Sequence, residues 1–136
     1  MKAGFPYGER SSLVNLKDRI TIEQYGGDDH VIEKREPTLK EKDTAKAGIV
    51  RTLEALNSGN YDLIILDEIC VAVHFGLIEE SDISNLFDQK PDSIELVLTG
   101  RYCPEAWIGR ADLVTEMKEV KHYYQQGVLS RKGFDS

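Results

Sequence analysis

The run Leu63-Ile64-Ile65-Leu66 leads straight into Asp67 and Glu68, and it constrains the fold more than any other stretch of the chain. Four consecutive apolar residues are too few for an independent helix, and they show no alternation of polar and apolar sides. The run therefore reads as a strand buried on both faces, as in a parallel α/β sheet. Ligands of open α/β sheets bind outside the carboxyl ends of the strands. Asp67 and Glu68 stand at that end. A Mg²⁺-nucleotide site needs carboxylates there, because Mg²⁺ takes few protein oxygens and completes its shell with water and phosphate. The same pair also suits the start of a following helix, where the dipole favours negative charge. Both readings stay open on these residues alone.

Composition narrows the function classes. A chain of 136 residues with 40% apolar and 30% charged residues is that of one soluble globular domain. No apolar run is long enough to cross a bilayer, and no apolar signal region opens the chain. The net charge is −7, and no Lys/Arg cluster with interleaved aromatics occurs, which argues against nucleic-acid binding. Cys70 and Cys103 lack metal-site spacing and read as reduced thiols of a cytoplasmic protein rather than a disulfide. His30, His74 and His122 are scattered, so no zinc site built by the protein is expected.

The residues 1–9 form a Gly/Pro-rich loop, and Arg10 to Leu16 suits a short helix. Ile20 to Gln24 alternates and reads as a short strand, followed by a charged loop from Asp28 to Glu36. Thr38 and Glu41 have capping-box spacing after Pro37. Ala45, Ile49, Leu53 and Leu56 then recur every three or four residues on one helical face. Gly59 suits the left-handed position that ends such a helix. Beyond the Asp67 strand, Ile69 to Phe75 reads as a buried helix and Glu79 to Gln89 as another, with Ile83, Leu86 and Phe87 inward. Ile94 to Leu98 is a second buried strand, a short helix after Pro104 carries Trp107 and Ile108, and Leu113 to Met117 is a third strand. Strands alternating with helices imply an α/β fold with a mostly parallel sheet and helices on both faces.

Three of these strands end in binding groups: Asp67-Glu68, Thr99-Gly100-Arg101, and Glu116 with Lys121 and His122 beyond. In a parallel sheet the three ends converge on one rim. Arg101 suits a fork onto phosphate oxygens, or a plain exposed surface position. Gly100 suits either a close backbone approach or a tight turn. His122 reads as a proton carrier or a surface histidine, and Trp107 as core. A phosphate loop of the form G-x-x-x-x-G-K-[ST] is the usual companion of such carboxylates, and this sequence contains none.

The ordered segments Pro6-Tyr7-Gly8-Glu9, Tyr61 to Glu68, Gly76-Leu77-Ile78, Glu95 to Arg101, Ala111 to Met117, Lys121-His122 and Gly133-Phe134-Asp135 resemble the corrinoid adenosyltransferases of the ATP-dependent cobalamin pathway. The resemblance spans nearly the whole chain. It implies a P-loop fold of RecA-like type. It also implies transfer of the 5′-deoxyadenosyl group of ATP to Co(I) of a corrinoid, cob(I)alamin or cob(I)yrinic acid a,c-diamide, with release of triphosphate. On this carry-over Asp67 and Glu68 hold the metal, Mg²⁺ or Mn²⁺, and with Arg101 bind the nucleotide. No catalytic residue is implied, because Co(I) is itself the nucleophile. Tyr25 and Gly26 lie where the family leads to the corrinoid, but that stretch matches poorly, and the corrinoid contacts stay unassigned. A homodimer is implied as well. Two alternatives remain: a nucleotide- or corrinoid-binding relative without catalysis, and a RecA-like ATP hydrolase.

The family's first strand, phosphate loop and following helix precede the segment that begins here at Lys2. The expectation is therefore that residues 1–136 are one α/β domain, the C-terminal three-quarters or so of a longer protein, and that this portion alone binds ATP weakly.

Overall fold

The computed structural model describes residues 12–26 and 35–129. The expected loop over 1–9, most of that over 28–36, and the first residues of the Arg10–Leu16 helix lie outside them. The chain falls into two units, which are described separately.

The larger unit, residues 24–111, is built on α1, Leu39–Ser58. Its start is the expected capping box. The Thr38 hydroxyl accepts from the Glu41 amide at 3.3 Å, and the Glu41 carboxylate accepts from the Thr38 amide at 2.7 Å. Arg35 adds a two-pronged pair to the same carboxylate at 2.8 and 2.7 Å. Arg35 and the Thr38 donors hold the Glu41 carboxyl well below the usual carboxylate range. Gly59 ends the helix at φ 69°, a left-handed turn that costs glycine no steric penalty. Ala45, Ile49, Thr52 and Leu56 form the buried stripe, with Leu53 packed beside it. Thr52 satisfies its hydroxyl on the Gly48 carbonyl at 2.8 Å. Gly48 sits against the Tyr25 ring so closely that a Cβ there would meet ring atoms at 2.9–3.2 Å.

After α1 come β1, Leu63–Leu66; α2, Ile69–His74; α3, Glu80–Gln89; β2, Glu95–Leu98; and α4, Glu105–Ile108. The α3 start is stabilised by the Glu79 amide donating to the Asp82 carboxylate at 3.3 Å. A turn in which the Ile94 amide donates to the Pro91 carbonyl at 3.1 Å delivers the chain into β2. The two strands are parallel, in register Leu63–Glu95, Ile64–Leu96, Ile65–Val97 and Leu66–Leu98. Leu56, Ile83 and Leu86 are the most deeply buried large side chains, and Ile69, Ile78, Ile94 and Trp107 complete the core around them. Each such side chain contributes about 1.5–3 kcal/mol through burial. Trp107 also meets Phe87 edge-on at 5.9 Å. These elements match the expected helices and both central strands.

Burial of the sheet corrects one expectation. Ile64, Leu66 and Leu98 face the core, but Leu63 and Ile65 are 50% and 56% exposed and Val97 is 40% exposed. Among the described residues, helices pack on one face of this sheet and not on both. An unbroken apolar run carries no periodicity, so it cannot distinguish one-sided from two-sided burial.

The second unit is described over 12–23 and 112–129. It holds a 3₁₀ turn at Val14–Leu16 and another at Tyr123–Gln126, the latter ending at Gly127 with φ 81°. Neither 20–24 nor Leu113 to Met117 forms a strand. Leu113 and Met117 are 84% and 94% exposed. Their apolar character predicted a third strand, but β propensity becomes a strand only where packing and a ladder partner supply the stabilisation.

Candidate functional site

Because β1 and β2 run parallel and in register, Leu66 and Leu98 finish side by side. The next residue on each strand is polar: Asp67 on one, Thr99 on the other. Thr99 ties the two ends together. Its amide donates to the Leu66 carbonyl at 3.1 Å, and its carbonyl accepts from the Cys70 amide at 3.2 Å. Its hydroxyl donates to Asp67 Oδ1 at 3.0 Å and accepts from the Glu68 amide at 2.9 Å. Every polar group of Thr99 is thereby used at one point of the rim.

Glu68 has φ 60° and ψ 22°, a left-handed conformation in a residue with a Cβ. Such a backbone costs an L-residue about 1–2 kcal/mol. Glu68 immediately precedes α2, yet its carboxylate makes no capping bond. Glu68 thus stands at the helix start, as the second reading has it, but its side chain caps no amide and is exposed at the rim. Backbone strain of this kind concentrates at functional sites.

Gly100, at φ 126°, meets both demands read from the sequence. A Cβ there would lie 3.1 Å from Cys70 Cβ and 3.3 Å from the amide nitrogens of Cys70 and Val71. The chain leaving β2 therefore crosses the first turn of α2 so closely that a Cβ would crowd it, and does so at a positive φ that glycine adopts without cost. Arg101 follows, exposed, with its guanidinium 5.7 Å from the Tyr102 ring centroid. Tyr102, itself at φ 64°, stacks on His74 at 4.1 Å. Among the described residues Arg101 makes no ion pair with Asp67 or Glu68. Cys70 lies behind this rim, where burial, first, and the adjacent Cys103 thiol push its own thiol up to about 12.

Two strand ends meet here; the expected third, Leu113 to Met117, forms no strand among the described residues. Glu116 lies in irregular chain and pairs at the surface with Lys118 at 3.2 Å. Lys121 is exposed in the same unit. His122 Nδ1 accepts from the Tyr124 amide at 3.0 Å, so this nitrogen serves a turn rather than a proton path. Thr99, the hub, belonged to a recognised strand end but was not among the expected site residues. Its position opposite Asp67 in a parallel pair is the signal that finds it.

The donor set suits a hard cation. Among the described residues no group of three or more His, Cys, Asp and Glu side chains is placed to cage a metal. Two adjacent carboxylates are instead what Mg²⁺ uses when water and phosphate oxygens supply the rest. Thr99 leaves Asp67 Oδ2 and both Glu68 carboxylate oxygens for such a role.

Comparison with known proteins gives a family. The model of the ATP:corrinoid adenosyltransferase family BtuR/CobO/CobP matches residues 1–135. The chain belongs to this family. A corrinoid adenosyltransferase from Sinorhizobium sp. is 34% identical over 60% of this chain and 39% of its own length. Another from Pseudomonas aeruginosa is 32% identical over 71% of this chain and 48% of its own length. That of Escherichia coli K12 is 28% identical over 71% and 50%, respectively. The chain thus spans about half or less of the length of these curated relatives. No helix among the described residues is long and apolar enough to cross a membrane.

Proposed function

We propose that the chain belongs to an enzyme that transfers the 5′-deoxyadenosyl group of ATP to Co(I) of a corrinoid, cob(I)alamin or cob(I)yrinic acid a,c-diamide. The observation that carries the reading is the rim itself, where Thr99 joins Asp67 and the strained Glu68 at the carboxyl ends of two parallel strands. Family membership supports the reaction class. In this reading Asp67 and Glu68 hold Mg²⁺ or Mn²⁺ on the triphosphate, and Arg101, exposed two residues past Thr99, binds phosphate. A bound divalent ion neutralises charge on the departing triphosphate. The protein's own residues position and bind, because Co(I) supplies the electron pair that forms the cobalt–carbon bond as the C5′–O bond breaks. No general base is required, and none of the side chains at this rim acts as one. The same reading takes the protein to be a RecA-like P-loop fold, a homodimer and a cytoplasmic enzyme.

The test is an incubation of chemically reduced corrinoid, ATP and Mg²⁺ with the chain, with and without a relative's N-terminal phosphate-loop segment fused to it. The expected result is a light-sensitive alkylcorrinoid and an equal amount of triphosphate from the fused protein. ADP and phosphate would identify a hydrolase instead. Tight ATP binding with no product from either protein would identify a binding module.

A further inference from the structure

Tyr102 is an aromatic residue in a backbone conformation that suits it poorly. Its φ is 64°, and it is 54% exposed. Glycine or asparagine would hold the same turn at less steric cost. Burial does not account for a tyrosine here, because half of the residue still meets water. The neighbours of its ring supply a reason. The His74 ring lies nearly parallel to it, with centroids 4.1 Å apart and an interplanar angle of 20°. Phe75 meets both rings edge-on, at 5.0 Å from His74 and 6.5 Å from Tyr102. His74 is the last residue of α2, and Phe75 caps it. The helix that starts beside Glu68 therefore ends in an aromatic seat, and the loop leaving β2 sets the Tyr102 ring in it. The Arg101 guanidinium carbon lies 5.7 Å from the centroid of that ring, within reach of the attraction between a cation and an aromatic face.

We propose that Tyr102 is a positioning residue for the rim: its ring, seated on His74 and Phe75, holds the Arg101 guanidinium near the strand ends, so that a phosphate group meets an arginine already ordered. This rests on the reading of Arg101 as a phosphate ligand. An exposed arginine loses the freedom of several side-chain torsions when it binds. A platform under the guanidinium removes part of that freedom beforehand, so less is lost on binding. The planar guanidinium rests on a ring face while its N–H groups stay in their own plane, where they can fork onto phosphate oxygens. Arg101 also leaves the chain between two residues of positive φ, Gly100 and Tyr102. The strain at Tyr102 thus falls on the residue that supports the ligand-binding side chain, as expected where strain serves a site. The ring acts through its face, and its hydroxyl has no part in the proposal.

The test compares the wild type with Tyr102→Phe, which keeps the ring, and Tyr102→Asn, which tolerates the positive φ but has none. In the whole chain without nucleotide, ¹⁵N relaxation of the Arg101 Nε–H reports the fast order of the guanidinium. The expected result is equal order in the wild type and Tyr102→Phe and clearly lower order in Tyr102→Asn. Equal order in all three would overturn the platform. The second measurement is isothermal titration with ATP and Mg²⁺ on the chain fused to a relative's phosphate-loop segment. Tyr102→Asn is expected to bind about 2–5-fold more weakly, and Tyr102→Phe as the unsubstituted fusion does. Because the ring acts through the arginine, Arg101→Ala with Tyr102→Asn should bind no worse than Arg101→Ala alone. A further loss in that double variant would overturn the positioning role. Weaker binding in Arg101→Ala with none in Tyr102→Asn would overturn it too, and would leave the nucleotide reading standing. Full affinity in Arg101→Ala would instead remove the phosphate role of Arg101, and the positioning function with it.

Discussion

Residue 68 offers a direct separation of stability from function. Its backbone sits at φ 60° and ψ 22°, where an L side chain pays about 1–2 kcal/mol and glycine none. Glycine in turn adds about 0.4–1 kcal/mol of chain entropy to the unfolded state relative to alanine. The difference leaves Glu68→Gly more stable than Glu68→Ala by about 0.5–1 kcal/mol. For a chain of this size that is a gap of about 2–4 °C in Tm. The comparison of these two variants cancels the lost carboxylate, which is exposed and makes no capping bond. Paired thermal melts by circular dichroism read the gap directly. Isothermal titration with ATP and Mg²⁺, run on the chain fused to a relative's N-terminal phosphate-loop segment, provides the second arm, in which both variants lose metal-dependent affinity relative to the unsubstituted fusion. Equal melting of the two variants, or a more stable alanine, would refute the left-handed geometry. Unchanged ATP affinity would remove Glu68 from the metal.

Thr99→Val keeps the shape and removes both hydroxyl bonds, so stability falls by about 1–2 kcal/mol in urea unfolding, whereas Thr99→Ser stays within about 0.5 kcal/mol. Glu41 contributes to the acid limb: its folded carboxyl lies below the unfolded value of 4.5, so its contribution is complete above that pH and is lost as pH falls toward the folded value. Urea midpoints taken from neutral pH down to about pH 3 should therefore decline less steeply in Glu41→Gln than in the wild type.

The regular elements of the larger unit were legible because their signals are local. The Thr38–Glu41 spacing announces a helix start, and Gly59 announces its end. Leu63 to Leu66 and Ile94 to Leu98 announce strands that pair as expected, the second beginning one residue later. What failed depends on partners. Leu113-Val114 carries the same apolar signal as β1, but no neighbouring strand takes it into a sheet. The exposure of Leu63 and Ile65 is likewise set by what packs above them, which their own identities do not encode. At the rim, Asp67 and Glu68 were legible as strand-end carboxylates, but the Thr99 knot was not. It joins residues brought together only by parallel pairing. Arg101 lies on the expected strand end, though its guanidinium rests over Tyr102 rather than on either acid.

Gly48 interrupts an otherwise good helix former, and alanine there would favour α1 by about 1 kcal/mol. The Tyr25 ring forbids that exchange, since the added methyl group would intrude at 2.9 Å. The two positions can therefore drift only as a couple: a bulkier residue on the helix requires a slimmer one at 25. Variants of this protein should carry either both changes or neither, and the helix retains a weak link as the toll for seating an aromatic ring.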